Sequence, residues 1–195
     1  TMSVRNGDGS LKSSSTTVQS ADALTKTTEQ DLDGDGDIDL KTIDATTVHS
    51  DGSRERLVTQ ENGDGSLRAM RKETLGADKV TSETYVDLNQ NGSFETSDLV
   101  SSVVVDATTQ ERTATNWSRN ADGSINAVVT SVTSADGLNR TTTTDADGDG
   151  DTDSEVTDVT VNNADGSSTR TVSTRNQDGL LRAATIIATS ADGLT

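Results

Sequence analysis

The sequence predicts an all-β protein, an antiparallel up-and-down meander of about 13–14 short strands built from repeats of about 56 residues. Three observations carry that prediction. Three separate motif series share one spacing; turn signals fall every ~13–16 residues; and the stretches between them are rich in Thr, Val and Ser, with no helical periodicity.

The spacing comes first. Asp22, Asp78, Asp136 and Asp192 stand in related Ser-Ala-Asp-Gly contexts, with steps of 56, 58 and 56. Asp8, Asp64, Asp122 and Asp178, each followed by glycine, repeat the same three steps. Behind them Leu11, Leu67, Ile125 and Leu181 form an apolar column in that register. The third series is three acidic segments starting at Asp31, Asp87 and Asp145, stepping by 56 and 58. Residues 1–195 therefore read as a single repeat array, with approximate units 8–63, 64–121 and 122–177 and a partial unit 178–195. The two extra residues of the middle unit are expected in the turn from Asp106, longer than its counterparts at Asp51-Gly52 and Asp165-Gly166. Joined head to tail, the chain ends would continue the pattern, so an excerpt of a longer array is expected.

Each turn type has a local cause. Asp-Gly and Asn-Gly pairs tolerate positive φ and so favour tight hairpins. Segments such as Ser167–Asn176 and Glu155–Asn163 are β-branched and suit a pleated surface. The chain has no proline, which leaves every ladder donor available. Four strands per unit, roughly 30 Å long at ~3.3 Å per residue, are expected in an elongated two-layer stack or a hairpin solenoid. In such a meander alternate turns lie at opposite edges. The acidic segments then share an edge with the Asp8-type turns, and the Asp22-type turns line the other.

Composition sets the problem that this fold must solve. With 16 Lys+Arg against 33 Asp+Glu the formal charge is −17, and only 29% of residues are hydrophobic. Ordering the backbone costs roughly 1–2 kcal/mol per residue, and so little apolar surface, at ~25 cal/mol per Å², offsets it poorly. The acidity argues against a nucleic-acid partner, since phosphate contacts need clustered Lys/Arg. No apolar run reaches the ~18–20 residues of a membrane span, so no membrane insertion is expected. There is no cysteine and hence no disulfide. A cation is the candidate for the missing stabilisation.

The acidic nonapeptides supply its chemistry. Oxygen ligands at positions one, three and five, a glycine at six for the sharp bend, and a carbonyl at seven are what a wound calcium loop needs. Asp31, Asp33 and Asp35 with Gly36 meet this, as do Asp145, Asp147 and Asp149 with Gly150. Asp87, Asn89 and Asn91 with Gly92 meet it with fewer charges, so this third site is expected to be weakest. Position seven holds Asp37, Ser93 and Asp151; position nine holds Asp39, Glu95 and Asp153. Twelve of the 33 acids thus fall in three loops, and about three Ca2+ sites are expected. The plainer alternative is a solvated polar hairpin; recurrence in register, with the glycine kept, favours the cation.

These loops resemble those of helix-loop-helix calcium proteins, dockerins and thrombospondin type-three repeats. Only the loop chemistry carries over. The glutamate expected at position twelve is replaced by Thr42, Asp98 and Val156, and no flanking helices are readable. As a whole the array resembles the tandem-repeat, calcium-binding surface and secreted proteins of bacteria, such as type I-secreted adhesins, without the glycine-rich nonapeptide of the calcium β-roll. That resemblance implies a non-enzymatic stalk, spacer or adhesin body, extracellular or at the cell surface, whose partners are neighbouring repeats of its own chain. An alternative is a self-assembling filament, matrix or sheath subunit formed by head-to-tail association. A glycan-binding module is disfavoured, because Trp117, Tyr85 and Phe94 are single aromatics and form no platform in the sequence. The only histidine, His49, has no nucleophile in a recognisable context. Charged strand residues such as Arg54, Glu55 and Arg56 read as cross-strand ion pairs.

Overall fold

The computed structural model describes residues 1–193, so the last two residues of the partial unit lie outside it. Two compact units divide the chain, Thr1–Leu99 and Val100–Thr195. The first holds β1 (Met2–Arg5), β2 (Leu11–Gln19), β3 (Thr25–Asp31), β4 (Leu40–Val48), β5 (Arg54–Asn62), β6 (Leu67–Leu75) and β7 (Ser82–Val86), then a 3-10 turn at Thr96–Asp98. The second holds β8 (Leu99–Val105) apart from its first residue, β9 (Arg112–Arg119), β10 (Ile125–Thr133), β11 (Asn139–Asp145), β12 (Ser154–Asn162), β13 (Ser168–Asn176) and β14 (Leu181–Thr189). Within each unit strand order equals chain order and neighbours run antiparallel, which is the up-and-down meander expected.

The repeat is exact at the level of register. Ser14 faces Asp31 in the first unit, and Val128 faces Asp145 in the second. The same offset recurs where Asp87 donates its N–H to the Met70 carbonyl at 3.0 Å. Turns of the Asn6–Ser10 type are closed by Gly9 N–H to the Asn6 carbonyl at 3.0 Å and Asn6 N–H to the Ser10 carbonyl at 2.9 Å. Gly9, at φ +86°, takes the left-handed position that makes the adjoining bulge, and the ladder shifts register between Val4 and Arg5. Equivalent shifts occur at Gln60/Glu61, Ile125/Ala127 and Thr174/Arg175, beside the three later copies of that turn.

One expected position is corrected. Asp44 faces Val58, Ser101 faces Asn116 and Asp158 faces Val172, so these three equivalents are 57 residues apart at each step. The loops before them start 56 and then 58 apart. One extra residue of the middle unit therefore lies between Asp87 and Ser101 and only the other in the turn after Val105. Turn length alone could not show this, because the motif series has no marker between those points.

Of the two shapes expected, a two-layer stack or a hairpin solenoid, the two-layer stack is not what either unit forms. No described apolar side chain is buried, and strands pack edge to edge with their sequence neighbours, so each unit is one sheet thick. The faces carry Thr and Ser hydroxyls that pair across strands, as Ser131 with Thr142 at 2.9 Å and Thr157 with Ser173 at 2.6 Å. A facing layer would bury such hydroxyls for little apolar gain. The charged face positions form the expected cross-strand pairs. Arg56 donates twice to Asp44, both at 2.8 Å, and reaches Glu73 at 3.2 Å; Arg170 grips Asp158 in the same forked way. These contacts hold Asp44 and Asp158 below the ordinary carboxylate value of 3.8.

Candidate metal centre

In a molecule without a described apolar core, the buried polar side chains are Asp31, Asp87 and Asp98, 2%, 4% and 1% exposed. All three belong to the acidic loops. In the first unit the turns at residues 6–10, 31–39, 62–66 and 87–98 share one sheet edge, as the meander requires; in the second unit 120–124, 145–153 and 176–180 do.

Loop 31–39 is wound around its first carboxylate. Asp31 Oδ1 accepts the Gly34 N–H at 2.6 Å and Oδ2 accepts the Gly36 N–H at 3.1 Å. Asp33 and Asp35 each accept the N–H two residues on, at 3.1 and 2.9 Å. Asp39 closes it, taking the Leu32 N–H at 2.7 Å while its own N–H bonds the Gln30 carbonyl at 2.8 Å. Loop 145–153 repeats this bond for bond. Asp145 accepts from Gly148 at 2.6 Å and Gly150 at 3.0 Å, and Asp153 accepts from Ala146 at 2.6 Å.

Glycine at position four is required by close approach. A Cβ on Gly34 (φ +83°) would stand 2.3 Å from the Leu11 carbonyl oxygen, and one on Gly148 (φ +77°) 2.5 Å from that of Ile125. The loop thus leans onto the first residue of β2 or β10, the strand paired with the one that enters the loop, which explains why the apolar column and the acidic loops keep one register.

Loop 87–98 reaches the same bend by other means. Asp87 accepts from Asn91 at 3.2 Å and Gly92 at 2.9 Å, and position four is Gln90, held at φ +57°. The closing role of Asp39 and Asp153 passes to Asp98, which accepts the Leu88 N–H at 3.3 Å and the Glu95 N–H at 2.9 Å. Glu95 instead accepts from the Asn91 side chain at 2.8 Å. Lys72 stands 4.5 Å over the Tyr85 ring and 5.1 Å over Phe94, with no aromatic counterpart at the other loops. Sequence reasoning placed Asp98 at position twelve but gave it no role; the signal was the extra residue of the middle unit, assigned to the wrong turn.

Among the described residues, two carboxylate groups can hold a metal ion: Asp31, Asp33 and Asp39, and Asp145, Asp147 and Asp149, each offering oxygens within 4.8 Å of one another. Oxygens on opposite sides of a cation bound at 2.3–2.6 Å, the calcium–oxygen range, are about that far apart, and an all-oxygen set is what a hard cation takes. Asp35, Asp37, Asp151 and Asp153 fall outside these groups, and the loop from Asp87, with only Asp87 and Glu95 as acids among Asn89, Asn91 and Ser93, lacks three carboxylates to form one. No protein-family model matches the chain, and no curated protein is similar to it. The reading rests on the loops themselves.

Proposed function

We propose that this chain is a calcium-stabilised structural repeat segment, a non-enzymatic stalk, spacer or adhesin body of a large secreted or surface protein of bacterial type. The observation that carries it is the pair of carboxylate triads, Asp31, Asp33, Asp39 and Asp145, Asp147, Asp149, whose oxygens converge within 4.8 Å in a described chain that buries no apolar side chain. A buried carboxylate costs stability unless its charge is answered. At Asp31, the buried member of the two triads, backbone N–H donors answer it partly, and a divalent cation would complete the answer there and offset the mutual repulsion within both triads. The ion binds the folded loop only and so stabilises by mass action. The millimolar calcium found outside cells would saturate even a modest site, which suits an extracellular array stiffened after export. Asp31, Asp33, Asp39 and Asp145, Asp147, Asp149 hold the two principal ions, and the Asp87 loop binds weakly or not at all. Scanning calorimetry in calcium and then in EGTA tests the reading, and an unchanged melting temperature would overturn it.

A further inference from the structure

Three asparagines precede a glycine, Asn6, Asn62 and Asn91, and all three lie in turns at the acidic edge of the first unit. An Asn-Gly bond is where a chain can modify itself in water, because no Cβ shields the glycine nitrogen from the side-chain carbonyl carbon. In a folded chain the reaction further needs a glycine N–H free to lose its proton and a carboxamide free to turn. Those two requirements separate the three sites. Among the described residues the Gly63 N–H and Asn62 Oδ1 make no hydrogen bond, and only Asn62 Nδ2 is held, by the Ser66 hydroxyl at 3.0 Å. The turn at Asn6 repeats this, with Nδ2 donating to Ser10 at 2.9 Å. At Asn91 every group is engaged. The Gly92 N–H donates to the buried Asp87 carboxylate at 2.9 Å, Asn91 Oδ1 accepts the Ser93 N–H at 2.8 Å, and Nδ2 donates to Glu95 at 2.8 Å. The Asp87 charge also opposes the amide anion that the reaction passes through.

We propose that Asn6 and Asn62 are sites of spontaneous deamidation to isoaspartate, that the loop around Asn91 shields it, and that modification at Asn62 loosens loop 31–39. The Gly63 N–H gives its proton to hydroxide and the nitrogen bonds to Asn62 Cγ. The Cγ–Nδ2 bond then breaks, and ammonia leaves with a proton from water. The five-membered succinimide so formed takes up one water and opens to aspartate or to isoaspartate. Water is the only co-reactant and nothing is oxidised or reduced. Solvent exposure alone would order the sites otherwise, since Asn91 is exposed and Asn62 half-buried. The coupling to loop 31–39 follows from close approach. A Cβ on Gly63 would stand 2.3 Å from the Ile38 carbonyl oxygen and 3.4 Å from Asp39 Cα, so this turn lies against the end of the loop. Isoaspartate routes the main chain through the side-chain carbon and adds one backbone atom where there is no room for it. Gly7 has nothing within 4 Å on that side, so the same change at Asn6 is silent.

None of this needs the calcium reading. The test is ageing of the full chain in mildly alkaline buffer with EGTA, followed by peptide mass mapping and by enzymatic methylation of isoaspartate. Asn6 and Asn62 should convert at least tenfold faster than Asn91, and faster than Asn120, which sits in the same turn with the same bond to Ser124 but precedes Ala121. In denaturant Asn91 should catch up with Asn6 and Asn62. Conversion of Asn91 at the rate of Asn62 in the folded chain, or a slow Asn91 in denaturant, overturns the shielding. An Asn62 no faster than Asn120 overturns the site itself. The coupling is read by amide exchange of the Leu32, Gly34 and Gly36 N–H groups, which should quicken at least tenfold in aged chain. Aged Asn62→Asp chain, modified at Asn6 alone and with its backbone unlengthened at position 62, should exchange like fresh protein. Equal exchange in the two aged samples overturns the coupling.

Discussion

Loops 31–39 and 87–98 solve one mechanical problem with different chemistry. Both reverse the chain at the same sheet edge around a nearly fully buried aspartate. The first does so with five aspartates in nine residues, two left-handed glycines and a closing Asp39. The second has two acids in its nonapeptide, amides at positions three and five, and closes through Asp98 with Lys72, Tyr85 and Phe94 alongside. The first concentrates negative charge that, on the proposed reading, a counterion offsets; the second has exchanged charge for hydrogen bonds and aromatic contact. Cation dependence should therefore be local to particular loops and should not run uniformly along the array.

The largest test of that contrast is removal of the ion. A ligand at a hundredfold excess over Kd contributes about 2.7 kcal/mol per site, and a chain of this length shifts by about 2–4 °C per kcal/mol. Two sites therefore place the melting temperature in calcium roughly 10–20 °C above that in EGTA. Isothermal titration should count two strong ions; three of equal affinity would erase the distinction between the loops.

Next in size are the residues specific to each loop. Gly34→Ala forces a Cβ into the Leu11 carbonyl at a left-handed φ and should cost about 2–3 kcal/mol. It should also abolish one calcium equivalent, read by denaturation with and without the ion. Asp98→Ala leaves the Leu88 and Glu95 N–H groups without their carboxylate and should cost about 2 kcal/mol. That loss should be equal in calcium and EGTA; a loss seen only in calcium would make Asp98 a ligand instead of a closing residue.

A smaller effect is expected from acid. Forked hydrogen bonds from Arg56 and Arg170 hold Asp44 and Asp158 low, and Ser10, Ser66 and Ser124 do the same for Asp8, Asp64 and Asp122 in the turns. Groups depressed in the folded state stabilise it above their ordinary value of 3.8, and the contribution is lost as pH falls through the lower folded values. In EGTA the melting temperature should therefore drop below about pH 4, and Asp44→Asn should make that drop shallower. Smallest is Gln90→Gly, which relieves a left-handed glutamine and should raise stability by about 1 kcal/mol. Gly148→Gln, the reverse exchange in the charged loop, should be strongly destabilising because the Ile125 carbonyl leaves no room.

Much of this was legible beforehand because turn chemistry is local. The Asp8-type, Asp22-type and Asp31-type signals each act within a few residues, so their spacing placed the strands, their antiparallel order and the edge shared by the acidic loops. The clustering of Asp31 with Asp33, and of Asp145, Asp147 and Asp149, was readable for the same reason: alternation within one loop brings them together. Asp98 was not readable. Its role depends on where one inserted residue falls, and on a 3-10 turn that replaces the start of a strand.

By itself, then, the sequence determined the period, the meander, the turn types and the localisation of negative charge in three loops, since all of these follow from backbone preferences over short stretches. Only the tertiary structure decided that each unit is one sheet thick, that the buried side chains are aspartates, and that Asp39 and Asp98 do the same work in loops of different length. Those outcomes depend on which strand faces lack a partner and which N–H groups a carboxylate can reach across the loop. Distances between residues far apart in sequence set both.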